Sequence, residues 1–193
     1  MINSLPTTKR LLVIAFCLVL LLSAVTLSSC ASTRPTLPEN ATAEEAFDYL
    51  AWHVENRRLS DLRLTIYLAT PAVTPFPYAV DWMRQRYGQR IEVSGRSLAR
   101  NNRVFRGLDS SVLLPVDNGG SAMHARTYFY FTNRAGQKIF DVAMATIPDG
   151  NAIINGYEFR VRAIFYEILI PFVDEWWADS FRWQIDNRED IVR

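Results

Sequence analysis

The sequence predicts a single α+β domain behind a separate apolar leader, with N-terminal helices, a curved antiparallel sheet of about five strands and an aromatic C-terminal helix against it. Three observations point there. A helix-capping pattern stands at Thr42, period-two alternation recurs between turn signals from Met123 to Val161, and large apolar residues return at helical spacing after Phe165. The chain has 193 residues, 49% of them hydrophobic, so one domain can bury enough apolar surface to offset chain entropy.

Thr42-Ala43-Glu44-Glu45 has the spacing in which a threonine side chain and a glutamate satisfy one another's backbone donors. The helix it opens runs to about Arg58, with Phe47, Leu50, Ala51 and Val54 on one face. Leu62, Leu64, Ile66 and Leu68 then alternate with Arg63, Thr65 and Tyr67, the pattern of a strand buried on one side. Pro71, Pro75 and Pro77 break the chain before a second helix over about Tyr78 to Tyr87, stopped by Gly88, and a short strand is expected around Ile91 to Val93. Between residues 95 and 122 turn signals dominate, at Asn101-Asn102 and Asp117-Asn118-Gly119-Gly120. Val112 to Val116 reads as a short edge strand, because Pro115 cannot donate to a ladder.

Thr127 to Phe131, Ile139 to Met144 and Ile153 to Val161 are expected to form a three-stranded meander around turns at Asn133-Arg134-Ala135-Gly136 and Pro148-Asp149-Gly150-Asn151. With four-residue loops, Thr132 pairs with Gln137 and Ile147 with Ala152. One face then carries Ala125, Thr127, Phe129, Phe131, Phe140, Val142, Met144, Tyr157, Phe159 and Val161, which is a core. The other carries His124, Arg126, Tyr128, Tyr130, Asp141, Ala143, Ala145, Gly156, Glu158, Arg160 and Arg162. Phe165, Ile168, Leu169, Phe172 and Trp176 share a helical face, and Pro171 should kink or split that helix. A strand over Ile164 to Ile170 is the rival, since branched and aromatic residues crowd there. The order of helix and then meander is loosely similar to cystatin-like and nuclear-transport-factor-like cones, a resemblance that carries no function.

The first thirty residues have their own composition. Lys9 and Arg10 precede a charge-free run of seventeen residues, Leu11 to Leu27, in the order of an export signal. The run ends in Leu27-Ser28-Ser29-Cys30, which resembles the lipobox of bacterial lipoproteins. The resemblance implies cleavage before Cys30 and acylation of its thiol and new amino terminus. Ala31 at the next position implies forwarding to the outer membrane of a double-membrane bacterium, facing the periplasm. On this reading residues 1–29 are a signal peptide, 30–41 a lipidated tether, and 42–193 one α+β domain. The competing reading is an uncleaved anchor, since the run approaches the ~20 apolar residues that cross a bilayer.

Removing residues 1–29 takes away Lys9, Arg10 and no acid, leaving 19 basic and 20 acidic side chains among 164 residues. Such a balance gives no steering toward nucleic acid. Cys17 leaves with the leader, so the domain has no pair of cysteines for a disulfide and rests on its core. Pro35 and Pro38 stiffen the tether, which spans roughly 30 Å at about 3 Å per residue.

Chemistry is thinly marked. With only His53 and His124 and no free thiol, no zinc-ligand spacing exists, and neither a Gly-rich phosphate loop nor a nucleophile elbow is present. No cofactor is expected. His53 reads as exposed or hydrogen-bonded. Trp176, Trp177, Phe181 and Trp183 suit a membrane interface, but Asp174, Glu175 and Asp179 among them favour core packing.

On the polar sheet face, Asp141 and Glu158 would stand opposite each other with Arg126 on a diagonal. Two close carboxylates can form an acid and base pair, whereas a solvated face would merely neutralise its charges across strands. Tyr128 and Tyr130 beside Ala143, Ala145 and Gly156 leave a depression for a ligand or a covering helix. The candidate binding face is therefore His124, Arg126, Tyr128, Tyr130, Asp141, Glu158 and Arg160. Two readings follow: an envelope lipoprotein that docks an envelope protein through this face or the 95–122 region, or a small ligand-binding or hydrolytic domain using Arg126, Asp141 and Glu158.

Overall fold

The first helix, α1 (Ala43–Glu55), starts where its cap requires: Thr42 Oγ1 accepts the Glu45 N–H at 3.2 Å, and the Glu45 carboxylate accepts the Thr42 N–H at 2.9 Å. Its end comes before Arg58. Arg58 N–H donates to His53 O and Arg57 N–H to Val54 O, closing a Schellman turn with Arg57 at φ 55°, a position glycine usually holds. The computed structural model describes residues 35–69, 80–85, 87–116, 125–145, 151–189 and 191–192. The leader, Cys30, His124, the prolines at 71, 75 and 77, and the turns at 117–120 and 148–150 lie outside the described residues.

Residues Thr36–Arg193 form one compact unit around a six-stranded antiparallel sheet of order β2-β1-β3-β4-β5-β6. The strands are β1 (Leu62–Leu68), β2 (Gln89–Val93), β3 (Ala125–Asn133), β4 (Lys138–Ala145), β5 (Asn151–Ile154) and β6 (Tyr157–Arg160). Short helices α2 (Val80–Gln85) and α3 (Gly95–Arg100) flank β2. The α+β class with an antiparallel sheet holds, with six strands because Ile153 to Val161 is a hairpin rather than one strand. Asn155 at φ 49° and Gly156 at φ 85° turn the chain, which is the left-handed pair that an Asn-Gly hairpin loop requires.

The β3–β4 register differs by two residues from the expected one, pairing Phe129 with Val142 and Phe131 with Phe140. A shift of two preserves which side chains face inward. Phe129, Phe131, Phe140, Val142, Met144 and Phe159 are accordingly buried with Phe47 and Phe165 in the main core, whose edges include Phe47–Phe140 rings 4.5 Å apart. Two residues leave the expected core. Ala125 lies beyond a register shift in β3 and packs on the opposite face, and Tyr157, at the tip of the hairpin, is 67% exposed. Ala152 and Ile154 take inward positions that the single-strand reading missed.

Val112 to Val116 is not a strand. Ser110–Val112 is a 3₁₀ turn, and the segment after it touches β6 through a single Pro115–Phe159 bridge and the Arg160 N–H donating to Leu114 O. Pro115 has no N–H to extend a ladder. The 164–170 segment is helical, as α4 (Ile164–Glu167), and Pro171 in a 3₁₀ turn separates it from α5 (Glu175–Asn187). Within α5 the aromatic set divides: Trp177 and Phe181 are buried, but Trp176 and Trp183 are 55% and 61% exposed, so core packing holds for half of it. A buried polar knot ties α5 to the sheet. Tyr166 O–H lies within bonding reach of Ala145 O (3.2 Å) and Gln184 Oε1 (2.9 Å), and Arg188 donates to Ala145 O at 3.1 Å.

Candidate functional site

Alternation along the strands puts the candidate residues on the face away from the main core. One row across the sheet runs Arg90, Tyr67, Tyr128, Ala143, Ile153, Glu158; the next runs Glu92, Thr65, Tyr130, Asp141. Arg63 pairs with Thr132, and Thr132 with Lys138, in a third.

Asp141 and Glu158 are therefore not opposite one another. They stand on β4 and β6 with β5 between and in adjacent rows, about 12 Å apart at the usual strand spacing and rise. Asp141 is committed to structure. Its carboxylate accepts from Tyr128 O–H at 3.0 Å, Lys138 Nζ at 2.7 Å and Asn155 N–H at 3.2 Å, while its own N–H donates to Asn155 Oδ1 at 3.0 Å. The carboxylate fastens the Asn-Gly hairpin to β4. Glu158 accepts from Asn151 Nδ2 on the neighbouring strand. Arg126 is half-buried beside the β3 irregularity, with its carbonyl accepting the Ala69 N–H, and Arg160 is exposed at the far edge. The structure unites Tyr128, Tyr130 and Asp141 and leaves Glu158 and Arg160 apart.

The face has two ends. At one, Tyr67, Ala69, Ala125, Tyr128 and Ala143 are buried as a second apolar cluster, with α2 packed over β1 and β3. A helix thus occupies part of the expected depression. Burial pushes the Tyr128 hydroxyl well above the usual phenol range, with the Asp141 charge and its hydrogen bond adding to the effect. Tyr67 is raised too, by burial first and then by its hydrogen bond with Tyr130. These phenols are neutral donors and not bases.

At the other end lies an open groove of about 670 Å³ across β2, β1 and β3. Its floor includes Thr65, Tyr130 and Thr132, and its rim carries Arg63, Arg90 and Arg134. Arg90 pairs with Glu92 and sits over the Tyr67 ring, 5.7 Å from its centre. Arg134, from the β3–β4 turn, holds Asp61 at 2.7 Å. Arg63 has no acid in ion-pair range among the described residues. These three arginines lie outside the meander that carries the expected binding face. The alternation that turns Leu62, Leu64 and Ile66 inward also turns Arg63, Thr65 and Tyr67 onto this face, and that signal was legible.

Among the described residues no group of three or more His, Cys, Asp or Glu side chains could hold a metal ion. His53 is fully buried and not exposed, with its Nδ1 within 2.9 Å of Tyr49 O one turn earlier. Comparisons with known protein families, with curated proteins and with solved structures find no match to this chain.

Proposed function

We propose that the chain is the precursor of a cell-envelope lipoprotein, anchored through acylated Cys30 in an outer membrane and facing the periplasm, whose domain binds a partner rather than catalysing a reaction. The observation that carries the anchor is the ending Leu27-Ser28-Ser29-Cys30 on a seventeen-residue charge-free run behind Lys9 and Arg10. Each buried CH₂ contributes about 0.8 kcal/mol, so several acyl chains on one residue make detachment negligible. Leu37 already packs against the main core, so only the few residues between Cys30 and Thr36 act as free tether, with a reach of roughly 18 Å at about 3 Å per residue. Supporting the binding role is the open groove, a polar concavity lined by outward strand residues, with the one central carboxylate of the face, Asp141, already spent on a turn.

Mass spectrometry of the amino-terminal fragment of membrane-extracted protein tests the anchor. The expected fragment begins at a lipid-modified Cys30; an intact Met1 terminus or a bare thiol at residue 30 overturns the reading. For the binding role, Arg63→Glu should abolish co-purification of an envelope component while the thermal midpoint stays within a few degrees.

A further inference from the structure

We infer that the open groove is a binding site for an acidic glycan, a polyhydroxylated chain carrying carboxylates. The inference deepens the binding role just proposed and rests on it. Arg90 pairs across β1 with the position four residues beyond Arg63, so the guanidiniums are spread over roughly 13 Å along the strands, with Arg63 and Arg134 toward one end and Arg90 at the other. Each guanidinium has five N–H donors, and the ion pairs of Arg90 and Arg134 each engage one nitrogen. Arg63 keeps its whole fork for a carboxylate, the planar group that a guanidinium binds with two parallel hydrogen bonds.

The mixed charge of the rim selects among anions. Three guanidiniums stand with the carboxylates of Asp61 and Glu92, leaving an excess of one positive charge. A nucleic acid, with a phosphate at every nucleotide, needs far more neutralisation than that. A chain with well-spaced carboxylates and hydroxyls between them suits it better, because the exposed Glu92 can accept from sugar hydroxyls while Tyr130 and Thr132 supply hydroxyls of their own. An acidic peptide is disfavoured by the floor. The backbone of β1 is paired on both sides, with β2 and with β3, so a peptide laid across it finds no main-chain partners. A glycan needs only the side-chain groups present.

Titration of the full-length protein in detergent micelles with short oligogalacturonate, its fully methyl-esterified form and poly-L-glutamate tests the inference. The acid form should bind, the uncharged ester about tenfold more weakly or worse, and Arg63→Gln should weaken the acid form at least roughly fivefold with the thermal midpoint unchanged. Arg160→Gln, at the far edge of the sheet, should leave it unaltered. No binding of oligogalacturonate at millimolar concentration overturns the inference, as does equal affinity for the ester, poly-L-glutamate binding as tightly, or indifference to Arg63→Gln. If the glycan fails while Arg63→Glu still strips an envelope component from the purified protein, the ligand class falls and the binding role survives. If neither responds, both fall.

Discussion

Tyr128 and Tyr130 are two residues apart on one strand and point the same way, yet they belong to different surroundings. Tyr128 is buried with Tyr67, Ala69, Ala125 and Ala143 and donates to Asp141, whereas Tyr130 is half-buried on the floor of the groove. The strands supply the same geometry to both, and the difference comes from what lies above them. Small residues and a covering helix convert one end of an outward face into a second core. Arginines and hydroxyls keep the other end wet. A polar sheet face is thus not one functional unit.

The contrast can be broken most strongly at the tyrosines themselves. Tyr128→Ala should cost about 3–5 kcal/mol, as large-to-small changes at buried aromatics do, and Tyr130→Ala roughly half as much; urea unfolding of both measures the gap. Equal losses would mean that the two ends are covered alike. Next is Gly95, at the wall of the groove, where an added Cβ would come within 2.2 Å of Ser60 O and 2.7 Å of Leu62 O. Backbone must shift to admit it, so Gly95→Ala should cost about 1–3 kcal/mol and weaken ligand binding at the groove.

A smaller effect sharpens the covered end. Tyr128→Phe removes one donor from Asp141, which keeps Lys138 and Asn155, and should cost about 1 kcal/mol near neutral pH. Its signature is alkaline. The folded protein holds the Tyr128 phenol protonated above its ordinary range, so the stability it contributes is fully present below about pH 10, where the unfolded phenol titrates, and is lost as pH rises through the folded value. Unfolding measured from pH 8 upward should show a shallower alkaline decline for Tyr128→Phe than for the parent. The smallest effect belongs to the open end, where Arg63→Gln should change stability by no more than about 0.5 kcal/mol.

How much of this could be read beforehand depended on locality. The capping box at Thr42, the β1 alternation and, Ala125 apart, the inward set of β3 and β4 are short-range patterns, and they hold even where the register slips, because a slip of two keeps a side chain on its face. Asn155-Gly156 is itself a hairpin signal, and a single strand across it hides the sixth strand and sets Asp141 opposite Glu158. The division of Trp176 from Trp177 turns on the one helical register that Asp174 fixes by capping the Trp177 N–H at 3.0 Å. The groove was harder, since it joins β2, β1 and the β3–β4 turn through distant pairings, as between Arg63 and Thr132, sixty-nine positions apart. Periodicity says which way a side chain points but not which distant strand will lie beside it.

The polar knot between β4 and α5 bears on the order in which the chain can be completed. Trp177 and Phe181 are walls of the main core, and Arg188 reaches back to Ala145 across forty-three positions. A nascent polypeptide therefore carries an unsealed interior until the segment from Glu175 to Arg188 has emerged. Removing this one helix exposes the centre rather than trimming an accessory.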